Sequence, residues 1–313
     1  MKDLAASVVR LFRANGIRSV FVLFTEFERQ ISARVAGIPA GFLEQVHGNC
    51  VRNYFAMVSP VRRQLKLRGE AIRSNGVEIL GKIIDSSVID RLCSLFEHRV
   101  ATRHASVAIT HVGGQTVSET IEFKFDDPAL SLVQEVMTEE VVDALRATLS
   151  TNFHVVSYTL WRNHNLPNGD QHDVYSNRWH VDGARTDGYK LFVFMHDVSA
   201  DHGGTIIATR AETRMACRAG YWSRKNYAGA SDVLTTLDGR SCMTGPKGYA
   251  YIFTPNLCLH RAGVPKPGLT RTVLMVIVLP SRHMDLNPRR QDQVPTFSRL
   301  VKKITTYIGH NDP

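Results

Sequence analysis

Residues 249–280 read YAYIFTPNLCLHRAGVPKPGLTRTVLMVIVLP. Their pattern is that of two strands separated by turns, with no helical period. The first run, Tyr249 to Phe253, is aromatic and apolar, and Thr254-Pro255-Asn256 breaks it. The second, Thr272 to Leu279, is apolar and rich in β-branched residues, with Gly268 before it and Pro280 after it. Between them stands His260, and Arg271 opens the second run. By strand alternation Arg271, Val273 and Met275 share one face. A guanidinium on such a face must find an anion, because an unpaired buried charge is costly. Its planar fork matches a carboxylate.

The same character extends backward to about position 154. His154 to Trp161, Leu191 to Met195 and Thr205 to Ala208 are further strand-like runs bounded by Gly, Pro, Asn or Asp. Several short strands in one region indicate a sandwich or barrel and not alternating β/α units. The first third reads as largely helical. Leu4, Val8, Leu11 and Phe12 share a helical face ahead of Asn15-Gly16, and a weaker helical stretch covers 40–67. After the turn Asn75-Gly76, Val77 to Ile84 forms a short apolar strand. Asp85-Ser86-Ser87 then offers an N-cap to a helix carrying Val88, Ile89, Leu92, Leu95 and Phe96. Another helix is expected over Thr138 to Leu149. The expected architecture is a helical front and an all-β back, mainly β with flanking helices (α+β). We divide it into a helical N-terminal extension at 1–66, a β domain at 67–285 and a tail at 286–313.

Composition excludes some classes. The chain has 313 residues, 43% hydrophobic and 21% charged, which is ordinary for a globular protein. No apolar run reaches the length of a membrane span, and the N-terminus lacks the order of a secretory signal, so a cytoplasmic protein is expected. Five scattered cysteines with no CxxC pair argue against a disulfide framework or a thiolate zinc site. The net charge of +9 favours anionic partners. The basic residues form no run of five, and no aromatic-basic RNA-binding motif is present, so a small anionic molecule is expected in preference to nucleic acid.

His-x-Asp occurs three times, as His180-Val181-Asp182, His283-Met284-Asp285 and His310-Asn311-Asp312. On an extended chain, residues two apart point to the same side. Only the first pair is followed by a full set of strands and by a distant third candidate ligand, His260. Two histidines and one carboxylate form the face that suits non-haem iron(II), since three coordination positions stay open.

The stretch from Trp179 to Pro280 resembles the catalytic core of the phytanoyl-CoA dioxygenase family. The resemblance is carried by Arg178-Trp179-His180-Val181-Asp182, by Asp201-His202-Gly203-Gly204-Thr205-Ile206-Ile207-Ala208, by Gly245-Pro246-Lys247-Gly248-Tyr249, and by His260 through Arg271. Leu67 to Phe96 is similar to the start of such domains. The resemblance implies a double-stranded β-helix (jelly-roll, cupin-like) fold that uses Fe(II), 2-oxoglutarate and O₂. It implies that His180, Asp182 and His260 ligate the metal and that Arg271 binds the far carboxylate of 2-oxoglutarate. Thr205 and Asn177 match positions that contact the cosubstrate in some members. Related halogenases replace the carboxylate ligand by a small residue; Asp182 is present, so C–H oxidation, with hydroxylation as the default, is implied instead. Where many members carry Pro-Gly-Ser-His, this chain has Thr209-Arg210-Ala211-Glu212, which puts the usual turn in question.

Other residues have weaker claims. Arg162, Arg178, Arg185 and Arg210 lie near the core in sequence, and each could hold an anion or be a solvated charge. Tyr158 and Trp161 are pocket or core candidates. His164 and His172 flank a polar loop, 163–177, long enough for a lid. The segment 214–240 interrupts the β pattern and is expected to cover the site. Two other classes stay open: a cupin-like metal-dependent isomerase or hydrolase that uses no 2-oxoglutarate, and a basic binding protein on a jelly roll.

Overall fold

The computed structural model describes residues 70–167, 174–182, 188–219, 221, 231–281 and 283–288. The expected helices at 4–12 and 40–67, the extension boundary at 66, Arg185 and His172 lie outside them. Nine strands form two antiparallel sheets among the described residues. They are β1 (Val77–Lys82), β2 (Val107–Val112), β3 (Gln115–Phe123), β4 (Asn152–His164), β5 (Tyr189–Phe194), β6 (Thr205–Ile207), β7 (Tyr249–Phe253), β8 (His260–Ala262) and β9 (Thr270–Ser281). The large sheet runs β1-β7-β5-β9-β4-β3-β2 and the small one β6-β8.

Six α-helices accompany them among the described residues: α1 (Glu70–Asn75), α2 (Ser86–Ala101), α3 (Leu130–Gln134), α4 (Glu139–Leu149), α5 (Arg210–Arg218) and α6 (Ser231–Asp238). Helix α2 starts where the sequence predicts, with the Asp85 carboxylate accepting from Ser87 N at 2.6 Å. Thr138 caps α4 in the same way, accepting from Val141 N at 3.3 Å.

Both faces of the middle of the large sheet are buried, which is why β5 and β9 read as nearly continuous apolar runs. On one face, Ile89, Leu92 and Phe96 of α2 and Val141, Leu145 and Leu149 of α4 pack on Leu191, Val193, Leu274 and Val276. On the other, Phe192, Phe194, Tyr251, Phe253 and Val273 meet Ile207 of the small sheet. The outer side of the small sheet is closed by α5 and α6, whose Ala216, Leu234 and Leu237 pack with Trp179, Ile206 and Leu259. The fold is a double-stranded β-helix, as expected.

The helical front needs correction beyond the expected strand β1, because β2 and β3 also precede position 150 and supply two more of the seven strands of the large sheet. A second finding concerns β4. Val155 pairs with Val278 but Ser157 pairs with Ile277, leaving Val156 as an extra residue. Phe153 and Val155 face the helices before this bulge, and Tyr158 and Leu160 face them after it. The bulge therefore turns Ser157, Thr159 and Trp161 to the inner side, opposite Ile277, Met275 and Val273. Among the described residues, no helix is long and apolar enough to cross a membrane.

Candidate metal centre

The main chains of His180 and His260 form an isolated antiparallel bridge, each amide donating to the other's carbonyl at 3.0 and 2.9 Å. This pairing sets the two rings 4.2 Å apart. Asp182, two residues on, points the same way, and its amide is tied to Pro255 O at 2.9 Å. Asp182 Oδ1 lies 3.4 Å from His180 Nε2 and 3.6 Å from His260 Nε2. The three ligand atoms lie within 4.8 Å of one another and could hold a metal ion. Separations of this size suit a coordination face whose bonds are about 2.1 Å long.

The second ring nitrogens fix the tautomers of the two histidines. His180 Nδ1 is 2.8 Å from Arg178 O, and His260 Nδ1 is 3.0 Å from Cys258 O. A carbonyl only accepts, so each Nδ1 carries the proton and each Nε2 presents its lone pair toward Asp182. His260 Nε2 is buried with no hydrogen-bond partner, which is the condition expected of an atom built for a metal. Burial pushes the His260 pKa down to about 4. Burial raises that of Asp182, but the side chains of His180 and His260 and the charge of Lys190 outweigh it and hold the carboxyl well below the usual range. Phe253 stands edge-on to His260, with centroids 5.1 Å apart.

Arg271 is 2% exposed. It crosses from β9 toward the small sheet, where Nη1 donates to Gly203 O at 2.6 Å and to Thr205 Oγ1 at 3.3 Å. Its Nε has no partner, and no carboxylate among the described residues reaches it. Burial lowers its pKa, the direction expected for a cation that lacks an anion. The Arg271 side chain thus reaches from β9 to Thr205, which lies on β6, the strand paired with that of His260. The loop that supplies Gly203 O permits no side chain. Gly203 has φ +69°, and a Cβ on it would lie 2.6 Å from Val264 C.

The remaining expectations fare unevenly. Asn177 is buried and accepts from Val174 N at 3.1 Å, closing its own turn. Tyr158 belongs to the helix-side core and donates to Leu286 O, so it does not line the site. Trp161 is on the inner face and donates to Ser118 Oγ at 2.7 Å. Arg162 is consumed by Glu97, by Glu119 at 3.4 Å and by the Phe96 ring, which removes it as a substrate anchor. His164 pairs with Glu119 at 3.1 Å. Arg210 lies beside the Cys258 thiol, and Arg178 gives its carbonyl to His180.

The divergent Thr209-Arg210-Ala211-Glu212 has a physical explanation. It is a capping box that opens α5: Thr209 N donates to Glu212 Oε2 at 2.7 Å and Glu212 N to Thr209 Oγ1 at 3.2 Å. Helices α5 and α6, which include the described parts of the expected cover at 214–240, pack on the outer side of the small sheet. Asp238 of α6 accepts from Trp179 Nε1 at 2.8 Å and pairs with Arg261 at 3.1 Å, so one carboxylate holds the residues adjoining both histidines. Two residues escaped the sequence reading, Asp238 and Lys190. Lys190 was visible in principle, as the one charge in the strand YKLFVF.

No family model matches this chain, and no curated protein matches it in sequence. Solved structures match in fold. The epimerase SnoN, in complex with Fe3+, alpha ketoglutarate and nogalamycin RO, aligns with a TM-score of 0.50 at 11% identity, covering 78% of this chain and 98% of that one. EctD from S. alaskensis, with 2-oxoglutarate and 5-hydroxyectoine, aligns with a TM-score of 0.50 at 15% identity, covering 71% and 80%. The non-heme alpha ketoglutarate dependent carbocyclase SnoK from nogalamycin biosynthesis aligns with a TM-score of 0.50 at 14% identity, covering 76% and 92%. The fold is therefore the jelly roll on which iron- and 2-oxoglutarate-dependent enzymes are built, and the chain carries a His-Asp-His cluster within it.

Proposed function

We propose that this chain is an Fe(II)- and 2-oxoglutarate-dependent dioxygenase that hydroxylates an unactivated C–H bond of a small anionic metabolite, with a natural-product intermediate as the favoured class. The observation that carries the reading is Arg271, a buried guanidinium with no carboxylate beside it, reaching the strand paired with that of His260. A cupin-like enzyme without 2-oxoglutarate would leave that charge unexplained, and a binding protein would leave the His-Asp-His cluster without a use.

His180 and His260, neutral and with Nδ1–H committed to carbonyls, and ionised Asp182 would hold the metal. Arg271 would grip the far carboxylate of 2-oxoglutarate with Thr205 beside it, and Asn177 would add a polar contact. Bound iron, 2-oxoglutarate and O₂ would supply the oxidant that takes hydrogen from carbon, the cosubstrate leaving as succinate and CO₂. Phe192, Phe253 and Val273 exclude water around this end. Thr159, Trp161, Met275 and Ile277 continue the same inner face and would meet the prime substrate. The net charge of +9 supports an anionic one.

The test is an anaerobic titration with Fe(II) and then 2-oxoglutarate. A visible charge-transfer band is expected, absent in His180→Ala. Metal binding without a band would favour a cupin-type enzyme, and no metal binding would favour a basic binding protein.

A further inference from the structure

We infer that Lys190 is a positioning residue that holds one oxygen of Asp182 and so keeps this carboxylate a single-atom ligand. The inference rests on the metal-site reading above. Lys190 lies on β5 in register with Phe253 of β7 and Ile277 of β9, so its side chain rises from the inner face of the large sheet. The next residues on that face are Phe192 and Phe194, both buried, and the Lys190 side chain is only 14% exposed. A cation in that setting needs a partner, and Nζ meets Asp182 Oδ2 at 2.5 Å.

The two oxygens of Asp182 are thereby given different tasks. Oδ1 is the atom turned to His180 and His260, at 3.4 and 3.6 Å. Oδ2 is the atom taken by the ammonium. The amide of Asp182 is fixed on Pro255 O, so the residue cannot turn freely about its own backbone. A carboxylate with both oxygens free can chelate a metal and occupy two positions. Two histidines and a chelating aspartate would leave two sites of an octahedral ion, both of them needed by a chelating 2-oxo acid. With Oδ2 held, three sites remain, and a diatomic molecule has a place beside the 2-oxo acid. The ammonium also offsets negative charge gathered around the ion.

The experiment compares the full-length wild type with Lys190→Met and Lys190→Arg, with Lys190→Gln as the second neutral variant should the methionine variant not fold. Each is loaded anaerobically with Fe(II) and 2-oxoglutarate, then titrated with nitric oxide as an oxygen surrogate read by electron paramagnetic resonance. Melting of the apo-proteins reports folding. The wild type is expected to show the 2-oxoglutarate band and a nitrosyl signal together. Folded Lys190→Met is expected to bind iron and yet weaken nitric oxide binding to the 2-oxoglutarate complex at least fivefold, with Lys190→Arg restoring it. Nitric oxide binding unchanged in a folded neutral variant would overturn the inference. A wild type that forms no 2-oxoglutarate band would instead overturn the functional reading beneath it.

Discussion

Arg271 is held without an acid, so its removal should separate binding from folding. Arg271→Met takes away a buried charge as well as its bonds to Gly203 O and Thr205, two effects of opposite sign on stability. The apo-protein is expected to melt within a few degrees of wild type while the dissociation constant for 2-oxoglutarate rises roughly a hundredfold, the loss of a charge-assisted contact. Differential scanning calorimetry beside the charge-transfer titration checks both parts, and a collapse in stability would mark the arginine as a structural bolt only. At this scale the sequence was most informative. His180 and Asp182 are two apart in an extended segment, and Arg271 is conspicuous at the head of an apolar strand. Lys190 obeys the same logic but was passed over, because its partner comes from a segment eight residues earlier and only the fold brings the two together.

At the scale of elements, the caps and one buried ion pair set the expectations. Thr209→Ala removes the box that starts α5 and should cost about 1 kcal/mol in denaturant unfolding. Asp238→Ala should leave the fold intact but speed amide exchange at His180 and His260, since α6 would no longer hold the residues beside them. Arg99 and Asp127 form a two-pronged pair at 2.7 and 2.6 Å, with side chains 5% and 8% exposed, tying the end of α2 to the loop before α3. Burial raises the Asp127 carboxyl, but its bonds to Arg99 and to Ala129 N bring it below its usual value of 3.8. A lowered acid stabilises the fold above that value and loses its contribution as pH falls through the folded one. Asp127→Asn should therefore cost about 3 kcal/mol at neutral pH and show a shallower loss of stability below pH 4. Helices α2 and α4 were legible because their caps and apolar stripes are local signals. The β2–β3 hairpin was not, because β2 is a mostly exposed edge strand, VAITHV, with no alternating apolar face.

For the molecule as a whole, the proposed cosubstrate would join the two sheets, because Arg271 belongs to one and Thr205 to the other. Mn(II) and 2-oxoglutarate together, at a hundred times their dissociation constant, should stabilise the native state by about 2.7 kcal/mol. The melting temperature should then rise by several degrees, and Arg271→Met should abolish the part that depends on 2-oxoglutarate. No such rise in the wild type would contradict the placing of the cosubstrate. The jelly roll itself was visible in the β-rich second half, but its layers were not, since the covering of the small sheet by α5 and α6 depends on contacts between distant segments.

The extra residue at Val156 carries one more consequence. Val155 faces the helices and Ser157 the inner side, so Val156 is one residue more than strand alternation needs. Removing it would leave Val155 beside Ser157, facing opposite ways as their partners Val278 and Ile277 do, and β4 would run as a regular strand with Ser157, Thr159 and Trp161 still inward. The bulge thus absorbs an inserted residue without exchanging the two faces of the strand. Chain length can change by one codon at this point while the lining of the inner face stays the same.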